Sequence, residues 1–279
     1  MKISILLENS VATPRPLGLV AEHGLSILIE REGKKILFDT GQTGKVVQNA
    51  VLLGVDWREV EAIILSHGHY DHTGGLRAVL ENIGRPVKVY AHPDLFSPHY
   101  YLASEDKAFY IGIPHQQRLL ESLGAKFLWV REAREIFPGL WVSGEVPRKT
   151  PFEKVERGMV LRTETGFVQD EIRDDLSVFI QTEQGLLILL GCAHAGPVNI
   201  IEHAREVTGE SRILGLIGGT HLVTADQERL KKTLEYFRSL DLKILAPNHC
   251  TGFALRSYLK DLFKESFRWG GGGEVFEVS

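Results

Sequence analysis

A six-residue run that contains three histidines constrains this chain more than any other part of its sequence. It follows a short apolar segment and consists of His67-Gly68-His69-Tyr70-Asp71-His72. In extended backbone His67 and His69 point to the same side, so both imidazoles can bind one metal ion. Asp71 and His72 follow where the chain begins to turn, which suits a second ion beside the first. The spacing therefore predicts a binuclear metal site at the end of a buried strand.

A polar loop with capping histidines is the alternative explanation of this run. Crowded imidazoles repel one another when they are protonated and gain little when they are neutral, so a polar loop accounts poorly for them. Metal binding accounts for them better. Gly74 and Gly75 then allow the following backbone to pass close to a bound group.

The composition fits an ordinary globular enzyme. The chain has 279 residues, of which 43% are hydrophobic and 24% charged, and its formal net charge is −4. This length can bury the core of one domain, and the charge offers nucleic acid no strong attraction. No stretch of about twenty apolar residues indicates a membrane span, and the apolar start is too short for a signal peptide. We expect a single cytoplasmic domain over residues 1–279 that acts on a small molecule, as a monomer or a homo-oligomer.

Hydrophobic periodicity predicts two rounds of strands and helices, which indicates a sandwich of sheets covered by helices. The predicted strands are Lys2 to Leu7, Gly24 to Glu30, Lys35 to Asp39, the segment before His67, Val87 to Ala91, Ser177 to Gln181, Leu186 to Leu190, Ile213 to Ile217, Lys243 to Ala246 and Glu274 to Val278. The predicted helices are Gly44 to Leu53, Gly75 to Ile83, Pro197 to Val207, one opened by a capping box at Thr224 to Gln227, and Gly252 to Phe263. Residues 92–170 are expected to form a loop-rich insertion over the active face.

Three of the later strands each end in a histidine. These histidines are His194, His221 and His249. In layered folds ligands gather at the carboxyl ends of strands, so we expect the three side chains to converge on the run 67–72. For His221, contact with substrate or metal and a local capping role explain the pattern equally well.

The chain has two cysteines, and both lie near these histidines. Cys192 is two residues from His194, and Cys250 directly follows His249. This placement favours chemistry or metal binding over a disulfide framework.

The run 67–72, its preceding strand, the upstream Asp39-Thr40-Gly41 and the strand-end histidines resemble the metallo-β-lactamase superfamily of metallohydrolases. Further segments resemble the subgroup named for a dihydropterin-methyl ribofuranosylaminobenzene 5'-phosphate synthase of methanopterin biosynthesis. These segments are Glu22 to Ser26, Ser66 to Leu76, Gly191 to Gly196 and His249 to Gly252. The resemblance covers nearly the whole chain. It implies an α/β fold, the αββα sandwich, with a binuclear metal site at one edge.

The resemblance also implies an assignment of the metal ligands. Carried over by position, His67 and His69 bind the first ion. The second ion takes Asp71, His72 and His249.

At two positions the chain departs from the pattern of its relatives. Where most relatives have an aspartate that bridges the metals, the corresponding strand ends in Gly191-Cys192-Ala193-His194. Of Cys192 and His194, we favour His194 as the substitute, because imidazole is the commoner ligand near hard oxygen chemistry. The usual third-motif histidine is also missing from its expected place, and Asp174 and Asp175 are the nearest candidates for it.

Other polar residues have supporting roles in this interpretation. Asp39 is expected to accept a hydrogen bond from a ligand imidazole. His23 either donates such a bond or belongs to a turn. The remaining histidines are expected on the surface or in loops, and they are His92, His99, His115 and His203.

The expected chemistry is hydrolysis with two divalent ions, zinc by preference and manganese or iron as alternatives. The ions lower the pKa of a water, and the resulting hydroxide attacks a phosphorus or carbonyl centre. Asp71 orients the nucleophile, and His221 or His194 protonates the leaving group. A phosphate-bearing small molecule, either a diester or a cyclic phosphate, is the favoured substrate.

Two other functions remain open at this point. A synthase that joins a pterin to a phosphoribosyl-type donor needs an aromatic pocket, and the aromatic side chains of the middle segment are equally able to form one or to form the small core of a lid. These side chains are Phe96, Tyr100, Tyr101, Phe109 and Tyr110. A sensor that keeps the metal ligands without turnover is the other alternative.

Overall fold

The structure is a computed structural model that describes residues 1–104 and 106–278. Two large β-sheets pack face to face and helices cover both outer faces, so the predicted αββα sandwich is confirmed. The strands, in chain order, are β1 (Lys2–Leu7), β2 (Ser26–Arg31), β3 (Lys34–Phe38), β4 (Val60–Ile64), β5 (Val87–Ala91), β6 (His99–Ser104), β7 (Lys107–Tyr110), β8 (Ala125–Trp129), β9 (Arg134–Phe137), β10 (Leu140–Val142), β11 (Met159–Thr163), β12 (Gly166–Gln169), β13 (Val178–Thr182), β14 (Gly185–Leu190), β15 (Ile213–Gly219), β16 (Ile244–Asn248) and β17 (Val275–Glu277).

The helices alternate with these strands. The α-helices are α1 (Lys45–Leu52), α2 (Tyr70–Thr73), α3 (Leu76–Ile83), α4 (Gln117–Ser122), α5 (Pro197–Thr208), α6 (Gln227–Ser239) and α7 (Phe253–Phe263). Short 3-10 helices cover Trp57–Glu59, Pro93–Phe96, His249–Thr251 and Lys264–Ser266. None of the helices in the described part of the chain is both long enough and apolar enough to cross a bilayer.

The first sheet has seven strands in the order β17-β1-β2-β3-β4-β5-β8, and the second has six in the order β16-β15-β14-β13-β10-β9. Side chains alternate between the two faces of each strand. In β2, Ile27 and Ile29 point into the core between the two sheets. Leu28 points to the opposite face of its sheet, which packs against α1 and α3. The outer face of the second sheet packs on α5, α6 and α7, where Phe237 is fully buried. Each sheet is thus buried on both faces.

The segment 92–170, which we expected to be loop-rich, contains strands β6 to β12 as well as loops. Strand β8 extends the first sheet, and β9 and β10 extend the second. Strands β12, β11, β6 and β7 form a third, four-stranded sheet. Hydrophobic periodicity missed these strands because each has only three to six residues and most have partly exposed faces, which give no long alternating pattern.

Helix α6 also begins later than predicted. Asp226 is its N-cap, and its carboxylate accepts a hydrogen bond from the Arg229 N–H at 2.8 Å. The predicted capping box at Thr224 is therefore wrong. An aspartate side chain satisfies the free N–H groups of a first helical turn as well as threonine does, so the motif alone did not locate the start.

Candidate metal centre

The run 67–72 lies at one edge of the sandwich, directly after β4. The imidazoles of His67 and His69 are buried, and His67 Nε2 lies 3.0 Å from His69 Nδ1. His194, which follows β14, lies against both, with ring centroids 4.9 Å from His67 and 5.1 Å from His69. Its Nε2 is buried and has no hydrogen-bond partner in the described part of the chain. These three histidines form the first group of the centre.

The second group lies beside the first. Asp71 Oδ2 is 3.1 Å from His249 Nε2 and 3.1 Å from His23 Nε2. His72 Nε2 is 3.2 Å from His249 Nε2. His23 therefore contacts Asp71, which fits the expected role of a hydrogen-bond donor to the centre. About half of its side chain is exposed.

Cys192 lies between the two groups. Its Sγ is 3.2 Å from His72 Nε2. The possible ligand atoms of His67, Cys192 and His194 lie within 4.8 Å of one another, and so do those of His72, Cys192 and His249. The sulfur is thus shared by both groups.

The structure gives Cys192 and His194 different places, although we expected His194 rather than Cys192 to substitute for the bridging aspartate. The cysteine sulfur lies between the two groups, and His194 lies in the first group. The residue between Cys192 and His194, Ala193, has a φ of 57°. A left-handed residue turns the chain sharply, so two side chains that are close in sequence serve different parts of the centre.

Asp174 and Asp175 do not take the place of the missing histidine. Asp174 Oδ2 accepts a hydrogen bond from Gly68 N at 2.6 Å, and Asp175 Oδ2 accepts one from Ala195 N at 2.8 Å. Both carboxylates are buried and hold the backbone of the loops that carry the histidines. Burial raises the pKa of Asp175 to about 7.

Hydrogen bonds hold the outer nitrogens of the imidazoles. Asp39 is buried, and its Oδ2 accepts from Ser66 Oγ at 2.7 Å and from His72 Nδ1 at 2.6 Å, as expected. Because the Ser66 hydroxyl donates to Asp39, it accepts from His67 Nδ1, 2.8 Å away. Burial lowers the pKa of His72, but the nearby carboxylates of Asp39 and Asp71 raise it overall, to about 9.

His249 is held in the same way. Its ring Nδ1 is 2.9 Å from Asn9 Oδ1, and its backbone N–H donates to Glu8 Oε1 at 2.7 Å. The outer nitrogen is thus occupied, and Nε2 faces His72 and Asp71. Inward-facing nitrogens only 3.0 and 3.2 Å apart are the arrangement expected of imidazoles that share cations.

His221 lies at the margin of the centre, where its ring centroid is 4.2 Å from that of His194. Its Nε2 is 2.7 Å from Glu156 Oε2, and its backbone N–H donates to Cys250 Sγ at 3.2 Å. Burial lowers the pKa of His221, but Cys250 and Glu156 raise it overall, to about 9. The sequence contained no motif around Glu156, so only the folded chain identifies it as the partner of His221.

Two of the remaining histidines are buried, although we expected surface or loop positions. His92 lies in the loop after β5, as one of these alternatives allows, but His99 lies in β6, so the prediction is wrong for His99. His99 Nδ1 is 2.6 Å from Asp170 Oδ2, and His92 Nε2 is 3.1 Å from Glu145 Oε1. Carboxylate partners compensate these buried imidazoles, and the sequence distance to the partners hides the pairing.

A cavity of about 720 Å³ opens over both groups. Residues of the metal centre line one side, and Tyr101, Phe109 and Tyr110 line it from the third sheet. The other aromatic side chains of the middle segment pack within the protein: Phe96 against Phe127 and Tyr100 against Tyr110. Some of these aromatic residues therefore line a pocket, as a ring-binding site requires, and others form a small core of their own.

The sequence profile described as "Metallo-beta-lactamase superfamily" matches residues 19–249. The chain belongs to this superfamily. A metal-dependent hydrolase of the β-lactamase superfamily, known from its crystal structure, superposes with a TM-score of 0.85 at 26% identity and covers 100% of this chain and 99% of its own.

Two proteins of Methanocaldococcus jannaschii match over almost their full lengths. One is named 7,8-dihydropterin-6-methyl-4-(beta-D-ribofuranosyl)-aminobenzene-5'-phosphate synthase and is 32% identical over 287 residues, which are 99% of this chain and 96% of the relative. The other is uncharacterized and is 34% identical over 276 residues, 99% of this chain and 100% of the relative. Metallo-β-lactamase superfamily members typically bind divalent metals, and the cluster of histidine, cysteine and aspartate side chains described above is suited to them.

Proposed function

We propose that the protein is a metal-dependent hydrolase that cleaves a phosphoester in a small molecule. One observation carries the proposal: two groups of buried ligand side chains share one cysteine sulfur at the floor of an open cavity. Membership of the metallo-β-lactamase superfamily supports the hydrolytic chemistry.

In this proposal each group holds one divalent ion. His67, His69 and His194 would hold the first, and Cys192 would contact both. The second would take Asp71, His72 and His249. Imidazole and thiolate donors together favour zinc, with manganese or iron as alternatives. Bound ions supply positive charge and lower the pKa of a water to near neutrality.

The residues of the chain orient and protonate the reactants. Asp71 Oδ2 faces the cavity side of the second group and would accept a hydrogen bond from the attacking water. His221 would donate a proton to the leaving group, because Glu156 holds one of its nitrogens while Nδ1 is buried and has no partner in the described part of the chain. His194 is less suited to this step, since it belongs to the first group of ligands.

The charges around the cavity indicate where the phosphate group of a substrate would bind. Among the described residues that line the cavity, none is Lys or Arg. A phosphate group entering it would therefore be neutralised at the metal centre, where charge develops during the reaction. The net charge of −4 favours a small molecule over nucleic acid.

A synthase is the second candidate function. The observation that favours it is the full-length match to a relative that is named a synthase. A synthase would use the same ligands but would not hydrolyse simple phosphoesters.

The test combines metal analysis with turnover. We expect close to two metals per chain in freshly purified protein, and hydrolysis of bis(p-nitrophenyl) phosphate with added zinc, manganese or iron. His67→Ala and His249→Ala should each lower the metal content. The control His203→Gln should not, because His203 lies on α5 outside both groups and its Nε2 donates to the Ser143 carbonyl oxygen. Bound metal without hydrolysis of any ester would favour the synthase, and the absence of metal would refute both.

A further inference from the structure

The third sheet places one row of side chains over the cavity. In this sheet Tyr101 of β6 is paired with Met159 of β11 on one side and with Phe109 of β7 on the other. Directly paired residues of neighbouring strands point to the same face of a sheet. Met159, Tyr101 and Phe109 therefore form one continuous row, and all three line the cavity of the metal centre.

The opposite face of this sheet has its own aromatic packing. Tyr100 contacts Tyr110 edge to face, with centroids 5.3 Å apart, and contacts Phe167 at 5.4 Å. These contacts give the rings of that face partners within the sheet, although Tyr110 is 47% exposed and also lines the cavity.

The row over the cavity lacks such packing. Tyr101 is 36% exposed and Phe109 is 47% exposed. Within residues 1–104 and 106–278 neither ring stacks on another ring, and Phe109 has only the Lys107 ammonium 5.0 Å from its centroid. Exposed aromatic side chains that face a cavity beside reactive groups are typical of a surface that binds a ligand.

The surroundings define what this surface can bind. The cavity continues from the row to His69, Asp71 and His194, so one small molecule can contact both. The described lining contains neither Lys nor Arg, and the cation described against the row is the Lys107 ammonium on the Phe109 ring. A flat ring fits between the aromatic side chains of the row, and an anionic reacting group fits at the metal centre.

We propose that Tyr101 and Phe109 are specificity-determining residues that stack on an aromatic ring of the substrate. Met159 completes the row from β11. The substrate class is thus an ester whose anionic reacting group lies at the metal centre and whose other end carries a planar ring. The inference rests on the proposed function only in placing the reacting group at the metal centre.

The test uses substrates that differ only in the ring. Bis(p-nitrophenyl) phosphate and methyl p-nitrophenyl phosphate have the same charge and leaving group, but the second has a methyl group in place of one ring. Loss of one aromatic contact is expected to lower affinity about tenfold. In the metal-loaded full chain, Phe109→Ala should therefore raise KM about tenfold for the first ester, with kcat and the values for the methyl ester within twofold. Tyr101→Ala should act in the same direction.

The control is Tyr258→Ala, which removes an exposed ring of α7 outside the cavity and should change neither ester. Equal losses for both esters, or no loss for either, would overturn the inference.

A binding measurement separates this inference from the proposed function. By calorimetry on the protein as purified, 1-naphthyl phosphate should bind about tenfold more tightly than butyl phosphate, and Phe109→Ala should abolish the difference. This preference without turnover of any ester would refute the hydrolase and support the aromatic row. Turnover with equal binding of the two phosphates would do the reverse.

Discussion

The hydrogen bonds of Asp39 make the substitution Asp39→Asn a direct test of the metal centre. The Asp39 carboxylate accepts from Ser66 N at 2.7 Å, from Ser66 Oγ at 2.7 Å and from His72 Nδ1 at 2.6 Å. An amide can keep one acceptor oxygen for the Ser66 N–H. Its NH2 group then faces His72 Nδ1, where two donors meet.

The conflict is relieved only if His72 changes its tautomer. The proton then moves to Nε2, which lies 3.2 Å from both Cys192 Sγ and His249 Nε2, and the nitrogen that faces the cluster can no longer bind a cation. Loss of such an outer partner lowers metal affinity about 10- to 100-fold, or about 1.4–2.8 kcal/mol. The metal-free protein should lose about 1–3 kcal/mol of stability, because a buried donor remains unsatisfied.

Both effects can be measured separately. Zinc affinity is obtained by competition with a chromophoric chelator, and the stability of the metal-free protein by urea unfolding. The matched control is Asp241→Asn, whose side chain is 88% exposed and pairs with Lys243, and it should change neither value. Lowered stability with unchanged zinc affinity would show that His72 is not a ligand oriented by Asp39. Unchanged values of both would refute the hydrogen-bond geometry itself.

Three further predictions concern stability and its dependence on pH. Arg256→Met should cost about 3–5 kcal/mol in urea unfolding, because it leaves the buried Glu8 carboxylate, 3.1 Å from Arg256 Nη1, without its cation; an effect under 1 kcal/mol would contradict the argument. Phe237→Ala should cost about 3–5 kcal/mol, because the ring is fully buried under the second sheet; calorimetric unfolding checks this, and a near-neutral change would mean that α6 packs differently. Glu153 accepts hydrogen bonds from Val198 N and Asn199 N, and burial raises its pKa above the ordinary value. A raised carboxyl pKa contributes stability at low pH that is lost as pH rises through it, so Glu153→Gln should lose stability less steeply than the parent as the pH rises above 4.5 in urea titrations, and parallel curves would refute the assignment.

The sequence alone determined the local parts of the centre. The positions of His67 and His69 follow from the alternation of extended backbone, and the strand-end histidines follow from where apolar runs stop. The same periodicity predicted a sandwich of sheets covered by helices, because strands buried on both faces and amphipathic helices have distinct patterns, and the family resemblance implied the αββα arrangement. The short strands of residues 92–170 lack such patterns and were missed.

Tertiary structure decided which side chains from distant segments meet. Cys192 and His72 are 120 positions apart in sequence, and His221 and its partner Glu156 are 65 apart. Local spacing sets only the directions of neighbouring side chains. The packing of the two sheets sets the distances between segments, and the turn at Ala193 gives Cys192 and His194 different places in the centre. The ligands could therefore be proposed from the sequence, but their grouping around a shared sulfur required the fold.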